Sequence, residues 1–341
     1  MAVLKRIYDE QSWEERLSKN KIYDLKELCD RLSLHEEWVL SNLDYPAFFY
    51  EYFSDHYETV LMLLSKDELE LLIRIWNPKE ILELSEINQR HLVSLEGLGL
   101  IRFSYQNKEV YVNRDAKTNL CFYLRSRSSK RKMEEYQQLE YAIKGVLYQC
   151  GIISVQSLYD MLKDGPLSIT RQFVQEFAIA RMNLWSFAGV LRNRLGEYYL
   201  ECFEVHNREQ VFKGWLKQDD DFAPLSFENA QSLGKAGGIG MWKGVPELIS
   251  LLMRTIIKDS MATTIFIKTI ILYLQNGDSV EQVMNKVESK IKDFTEQERE
   301  QFEKLLCLMY DSIPLYEKKG HTRGESKLVH GGFTLIPGGK E

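Results

Sequence analysis

The spacing of apolar residues along the first third of this chain predicts helices. In "YDLKELCDRLSL", Leu25, Leu28 and Leu32 recur at helical spacing. In "LSKDELELLIRIW" a second stripe at helical spacing consists of Leu69, Leu72, Ile73 and Trp76. Ser65 and Glu68 stand at the two positions of a capping box, which marks where the second helix begins. Residues 1–64 are predicted to form an N-terminal helical segment.

Alternating apolar residues follow a predicted helix and indicate a β-hairpin. Ile101 and Phe103 alternate with polar residues, and Val110 and Val112 do the same after a polar Gln-Asn-Lys turn. A similar order of helices and a hairpin recurs further on, without a residue-level repeat. Three helices followed by a hairpin are the plan of a winged helix. We therefore predict two winged-helix-like units, residues 65–135 including a basic linker and residues 136–206.

The strand pattern stops at Asn207, and four amphipathic helices follow. The apolar stripes of the last two helices consist of Val280, Val283, Met284, Val287, Ile291, and of Phe302, Leu305, Leu306, Met309. They predict a C-terminal helical domain over residues 207–326, and the glycine-rich residues 327–341 are predicted to be a flexible tail. The expected fold class is mainly α with small β-hairpins, in which tandem winged-helix-like units precede a C-terminal helical domain.

Cysteine usage and hydropathy argue against several classes of protein. The five cysteines include no C-x-x-C pair, which argues against a zinc ribbon and a disulfide framework and predicts buried free thiols. No metal and no other cofactor is expected. No apolar stretch reaches the roughly 20 residues that cross a bilayer, and the N-terminus lacks the apolar core of a signal peptide. A cytoplasmic location without a membrane partner is expected.

Motifs of catalysis and nucleotide binding do not occur in the expected form. In "SLGKAGGIGMWKG", Ser232 to Gly244, the lysine precedes the glycines and no strand pattern comes before them, unlike in a P-loop. This stretch is predicted to be a loop into the C-terminal helices. Neither H-E-x-x-H nor G-x-S-x-G is present. We therefore expect no catalytic residues and a non-enzymatic protein.

A short basic run interrupts an acidic background. The chain carries a formal net charge of −6, and residues 1–115 alone contain 14 basic and 22 acidic side chains. The run "LRSRSSKRKMEE" could bind phosphates, form a solvated linker, or dock on the acidic face of its own N-terminal region. Other basic residues lie on the predicted helix before the first hairpin and on both hairpins. The candidate nucleic-acid-binding residues are Arg90, Arg102, Lys108, Arg125, Arg127, Lys130, Arg131, Lys132, Arg192 and Arg194.

The C-terminal stretch "EKKGHTRGES", Glu317 to Ser326, combines glycines, a histidine and opposite charges. Gly320 and Gly324 allow sharp turns, and the ring nitrogens of His321 can pin the segment onto the helices. A structural clasp is favoured over a partner- or ligand-binding loop, and a catalytic centre ranks last. The residues concerned are Tyr316, Lys319, Gly320, His321, Thr322 and Glu325.

These six residues are similar to a tail in bacterial proteins associated with SEC-C-type domains, where an aromatic, Lys-Gly-His-Thr and a glutamate follow a helical region. With "LYQCGIISVQSLYDML" upstream, the likeness extends over about residues 140–326. The usual proline after the threonine is Arg323 here, and the cysteine-rich SEC-C metal motif is absent. The resemblance implies an architecture, no metal and no mechanism. "KIYDLKELCDRLSL", residues 21–34, also resembles the small helical module at the N-terminus of the Rho transcription-termination factor.

The expected function is that of a bacterial or phage binding or regulatory protein. Its expected partner is nucleic acid or a nucleic-acid-associated protein. The alternative is a pure protein-interaction factor, an adaptor or inhibitor, that uses an acidic N-terminal surface. The choice between DNA, RNA and protein stays open, as does the oligomeric state.

Overall fold

A computed structural model describes residues 3–19, 25–182, 188–217, 221–255 and 259–325. It confirms the mainly α fold class, since helices dominate these residues and the strands form two small three-stranded sheets. The chain forms two compact units. Unit 1 comprises Met1–Leu139 and Ile169–Ser186, and unit 2 comprises Glu140–Ser168 and Phe187–Glu341. The winged-helix character and the division into five segments stay predictions, and the predicted tail 327–341 lies outside the described residues.

Unit 1 begins with strand β1 (Lys5–Asp9), which a series of helices follows. These helices are α1 (Trp13–Ser18), α2 (Leu25–Arg31), α3 (His35–Ser41), α4 (Tyr45–Asp55), α5 (Tyr57–Leu63), α6 (Lys66–Trp76) and α7 (Gln89–Gly97). The chain then forms β2 (Ile101–Ser104), β3 (Glu109–Asn113), α8 (Arg114–Leu124) and α9 (Arg127–Cys150). The hairpin predicted from the alternating apolar residues is confirmed.

Helix α9 leads the chain into unit 2, where β4 (Ile152–Ser154) and α10 (Val155–Leu162) follow. Helix α11 (Arg171–Met182) belongs to unit 1 again. The second predicted hairpin is confirmed as β5 (Ala188–Arg192) and β6 (Tyr198–Cys202) of unit 2. The remaining helices are α12 (Arg208–Trp215), α13 (Phe227–Lys235), α14 (Val245–Thr255), α15 (Ser260–Gln275), α16 (Val280–Ile291) and α17 (Glu296–Ser312).

The core of unit 1 is built around an indole. Trp13, at the start of α1, is fully buried; it stacks on Phe53 at 6.0 Å between ring centroids and donates its Nε1–H to the Leu98 carbonyl at 2.9 Å. A capping box of Ser12 and Glu15 fixes the first turn of α1. The adjacent sheet has the order β1-β3-β2, with β1 parallel and β2 antiparallel to β3. The N-terminal strand is thereby tied to the first hairpin.

The core of unit 2 lies among its last helices. The stripes predicted for α16 and α17 are confirmed, because Val283, Val287 and Ile291 are buried in one cluster with the four apolar residues predicted for α17. The unit's sheet is antiparallel with the order β4-β6-β5. Thr295 and Glu298 form a capping box at the start of α17, and the capping box predicted for Ser65 and Glu68 in unit 1 is confirmed. Local capping and burial therefore determine these helices together.

Helix α9 is longer than the sequence pattern suggested. It passes without interruption through residues 135 and 136, between which a segment boundary was predicted. Its apolar residues stay buried on both sides of that position, from Met133 through Leu139 to Ile143. The helix continues because this buried stripe continues.

The glycine-rich stretch Ser232–Gly244 is not a loop throughout, so that prediction is wrong for its beginning. Residues 232–235 form the last turn of α13. A Cβ on Gly234 would lie 1.9 Å from the Tyr141 carbonyl oxygen of α9, and one on Gly145 would lie 1.8 Å from the Ala230 carbonyl oxygen. The two glycines thus permit close packing of α9 against α13.

Trp13 provides a test of the unit 1 core. We expect Trp13→Ala to lower the free energy of unfolding by about 3–5 kcal/mol, because it leaves a cavity and an unpaired Leu98 carbonyl. Trp13→Phe, which keeps a ring and loses only the N–H, should cost about 1–3 kcal/mol. Denaturant titration measures both, and Leu40→Ala, at a position 81% exposed, is the control in the same unit. Equal effects of Trp13→Ala and Leu40→Ala would contradict this account of the core.

Candidate nucleic-acid interface

The basic run lies at the junction of α8 and α9, which we call the α8–α9 junction (residues 121–132). The side chain of Ser126 accepts a hydrogen bond from the Ser129 backbone N–H at 3.1 Å, and the Ser129 hydroxyl donates to the Tyr123 carbonyl at 2.8 Å. Leu124 and Met133 are buried on either side. The segment predicted as a basic linker is therefore a tight turn and the first turns of a long helix.

The five cations of the junction differ in their pairing. Arg131 pairs with Glu135 at 3.1 Å, and Lys132 pairs with Glu58 of α5 at 3.2 Å. Arg125, Arg127 and Lys130 are exposed and form no ion pair with any residue that the structure describes. The positive end of the α9 macrodipole adds to their potential. Three exposed cations without a described ion-pair partner therefore lie within six residues.

The ion pair between Lys132 and Glu58 requires an ionised Glu58 carboxylate. Desolvation raises the pKa of Glu58, but hydrogen bonds from the backbone, Lys132 and Tyr57 outweigh it, so the pKa lies below its ordinary value. The carboxylate therefore stays ionised at neutral pH and holds the Lys132 ammonium. Lys132 is the cation of the junction that is least available to a ligand.

Exposed aromatic rings adjoin these cations, and they are not among the residues predicted from the sequence. Phe122 is 81% exposed and Tyr123 44%. Tyr123 stacks on Tyr57 at 4.8 Å with an interplanar angle of 11°, and Phe122 meets Tyr123 edge to face at 5.6 Å. The signal lay in the stripe of α8, since a helix that buries residues 116, 120 and 124 turns residue 122 to its opposite side.

A surface cavity of about 680 Å³ opens beside these rings. Its walls consist of Lys117, Thr118, Cys121, Phe122, Arg125 and Ser126. The Lys117 ammonium donates a hydrogen bond to the Trp76 carbonyl at 2.7 Å, so it is less available to a ligand. Arg125 is the unpaired cation in the cavity wall. The cavity thus combines an aromatic ring with a cation.

The other predicted nucleic-acid contacts lie elsewhere. In unit 1, Arg90 is exposed on α7, and the guanidinium of Arg102 on β2 lies 3.8 Å from the centroid of the Tyr111 ring. Lys108 occupies the turn between β2 and β3, with φ of 53°. Arg192 and Arg194 belong to the β5–β6 hairpin of unit 2. Of the predicted nucleic-acid-binding residues, the five cations of the junction lie together in one segment.

The described part of the C-terminal stretch, residues 317–325, packs into unit 2 together with the preceding Tyr316. Tyr316 is fully buried and donates its hydroxyl to Gln275 Oε1 at 3.0 Å; Gln275 in turn donates to the Tyr148 carbonyl at 2.6 Å. Trp215 Nε1–H donates to the Tyr316 carbonyl at 2.9 Å. Burial raises the pKa of Tyr316 well above its ordinary value, so the hydroxyl remains a neutral donor. Tyr316 therefore connects several elements of the unit.

The Lys-Gly-His-Thr segment closes on itself beyond Tyr316. The Leu315 N–H donates to the His321 carbonyl at 3.0 Å, and His321 Nε2 lies 3.0 Å from the Asp221 carbonyl oxygen. Thr322 and Glu325 exchange backbone-to-side-chain hydrogen bonds in the manner of a capping box. Lys319 accepts a hydrogen bond at its carbonyl from the Ala223 N–H at 3.0 Å. Most of these contacts are with the backbone.

Arg323, which stands where the resembled tail has a proline, is held by carbonyl groups. Its guanidinium donates to the carbonyls of Tyr310 and Leu274 at 3.1 and 3.2 Å and lies over the Tyr310 ring. Desolvation lowers its pKa. The residue therefore joins the ends of α15 and α17, which a proline could not do.

The thiols and carboxylates of the described residues offer little reactive chemistry. All five cysteines are free; Cys29, Cys150 and Cys202 are buried as predicted, whereas Cys307 is exposed and Cys121 is intermediate. Burial raises the pKa of Cys29 to about 11 and also raises those of Cys150 and Cys202, so these thiols are protonated at neutral pH. Within the described ranges, no cluster of three or more His, Cys, Asp or Glu is arranged to hold a metal. No helix in those ranges has the length and apolarity to cross a membrane.

Gly320 and His321 provide a test of the packing of the C-terminal stretch. Gly320 has φ of 84°, and a Cβ there would lie 3.1 Å from Cys150 Sγ. Gly320→Ala should therefore lower the free energy of unfolding by about 1–3 kcal/mol, and His321→Ala should lower it by about 1 kcal/mol, since its ring is only 27% exposed.

Gly237→Ala is the matched control, because Gly237 also has a positive φ but no atom within 4 Å of its Cβ position. Denaturant titrations of the three variants separate backbone strain from steric contact. If Gly320→Ala costs no more than Gly237→Ala, the contact with Cys150 contributes nothing to stability. An unchanged midpoint for His321→Ala, with loss of a binding activity, would make the stretch a recognition loop.

Comparison with protein-family models, with curated proteins and with solved structures found no match for this chain. Its function is therefore argued from the geometry of the α8–α9 junction and of the C-terminal stretch.

Proposed function

We propose that this protein is a non-enzymatic factor that binds nucleic acid through the α8–α9 junction of unit 1. The observation that carries the proposal is the group of three exposed, unpaired cations at Arg125, Arg127 and Lys130. A bound polyanion would supply the negatively charged partners of these three cations.

The missing partners are significant because acidic residues are abundant in this part of the chain. Residues 1–115 carry eight more acidic than basic side chains, yet among their described residues only Glu58 pairs with a cation of the junction, Lys132. In contrast, residues 114–135 carry seven basic and three acidic side chains. A structural role for the basic run would favour pairing with the available carboxylates. The lack of an ion pair with any described residue at Arg125, Arg127 and Lys130 favours an external anion.

Nucleic acid suits these cations because each phosphate contact releases a counterion and adds salt-sensitive affinity. Two of the three cations are arginines, whose planar guanidinium can bind phosphate through two parallel hydrogen bonds. The Ser126 turn fixes the backbone that carries them. The backbone of the site is therefore preorganised, and contacts of its cations with phosphates would position a nucleic acid without reading its sequence.

The C-terminal stretch is proposed to be structural within this function. Tyr316 and Arg323 make their hydrogen bonds to groups of unit 2 itself. The similarity to the tails of SEC-C-associated proteins then concerns how the C-terminal stretch packs onto a helical region. A regulatory role would follow from binding at the junction.

The proposal is tested with a variant that lacks the three unpaired cations. Arg125→Ala/Arg127→Ala/Lys130→Ala should weaken binding of a labelled oligonucleotide and reduce the slope of log K against log salt by about 2–3, since each lost phosphate contact removes about 0.7–0.9. Fluorescence anisotropy at several salt concentrations measures both quantities.

The matched control removes three exposed lysines of unit 2 instead, Lys243, Lys290 and Lys292, and so changes the net charge equally. The control should bind with nearly the affinity and slope of the unchanged protein. Equal losses in both variants would show a general charge effect. Unchanged binding in the junction variant would favour the alternative, a protein partner on the acidic N-terminal surface.

A further inference from the structure

We infer that the ligand of the α8–α9 junction is single-stranded nucleic acid, with a base stacked on Phe122 and phosphates on Arg125, Arg127 and Lys130. This inference rests on the proposed function and adds the class of nucleic acid to it. The observation behind it is the juxtaposition of an exposed phenyl ring, a cavity and unpaired cations.

The exposure of Phe122 has no explanation in the packing of unit 1. Helix α8 buries Ala116, Leu120 and Leu124, while the neighbouring Phe122 leaves 81% of its surface in water. Its described ring contact is with Tyr123, edge to face at 5.6 Å. A phenylalanine contributes to stability only when it is buried. Its ring is therefore available to a ligand at no cost to the core.

Tyr123 holds the Phe122 ring in place and does not cover it. One face of Tyr123 stacks on Tyr57 at 4.8 Å, which fixes its orientation. Phe122 meets this stack at an interplanar angle of 82°. The Ser129 hydroxyl holds the Tyr123 carbonyl at 2.8 Å. The two rings thus have a defined geometry at the point where α8 ends.

The cavity beside Phe122 has a size that suits a base and its sugar. Its volume of about 680 Å³ falls within the range of small-molecule sites. Arg125 shares the cavity wall with Phe122, and Thr118 and Ser126 add hydroxyl groups. An aromatic face next to a guanidinium binds a base and its phosphate together, and stacking tolerates every base.

A duplex could bind the cations through its phosphates but could not stack a base on Phe122. Bases in a duplex are stacked on one another, so they offer phosphates and no free face to Phe122. A single strand offers both. An anionic membrane would also attract the cations, but an interfacial helix needs a broad apolar face. Around Phe122 the surface of α8 carries Lys117 and Thr118, which interrupt the apolar surface.

The test compares single-stranded and duplex oligonucleotides of about 15 nucleotides, in DNA and RNA form, with the full-length protein. Phe122→Ala should weaken single-strand binding about tenfold, which corresponds to about 1.4 kcal/mol, and should leave duplex binding unchanged. Phe122→Trp should restore single-strand binding, since a larger ring stacks at least as well. The matched control is Phe203→Ala, at a 61% exposed phenylalanine of unit 2.

The outcomes separate this inference from the proposed function. If Phe122→Ala binds the single strand as the unchanged protein does while the triple junction variant has lost binding, the function stands and the base-stacking role is wrong. Loss of duplex and single-strand binding to the same extent in Phe122→Ala also contradicts the inference. If the triple variant keeps full affinity, both are wrong. Phe122-dependent binding to vesicles of anionic phospholipid, without oligonucleotide binding, would show that the ligand is a membrane and contradict the inference.

Discussion

The junction of α8 and α9 depends on an electrostatic conflict that packing resolves. Cations at the first turns of a helix are unfavourable, because the macrodipole is positive there and the cations repel one another. Burial of Leu124 and Met133 and the cap from Ser126 oppose this cost. A buried apolar side chain contributes about 1.5–3 kcal/mol, whereas a charge at a helix end contributes about 0.3–1 kcal/mol. Packing therefore fixes the turn, and the protein keeps a concentration of positive charge that its own local electrostatics disfavour.

Features that arise from nearby residues were predictable from the sequence. The capping boxes at Ser65 and Thr295 involve residues three positions apart, and both hairpins follow from alternation across a short turn. The extent of α9 was not predictable in this way. Its continuation accompanies the burial of Leu139 and Ile143, and burial is a property of the folded chain rather than of local spacing. The same holds for Gly234, whose role appears only once Tyr141 lies against it.

The candidate sites show the same division between local and distant causes. The five cations of the junction are a compositional signal, but their pairing is not, because Glu58 lies 74 positions from Lys132. The exposure of Phe122 was within reach of the sequence through the stripe of α8, but an aromatic residue on a helix is more often part of a core. The partners of Tyr316 and His321 come from Gln275 and Asp221, which no spacing rule connects to them. Contacts across long sequence separations are therefore what the structure adds.

The net charge of this chain does not conflict with a polyanionic ligand. At physiological ionic strength the Debye length is about 8 Å, so exposed carboxylates further away than this contribute little to the potential at the junction. Glu58 and Glu135 are each already paired with a cation of the junction. Arg125, Arg127 and Lys130 lie within six residues and share the same screened volume. The local balance of charge thus governs short-range binding, while the overall charge of −6 acts mainly on the approach of the ligand at low salt.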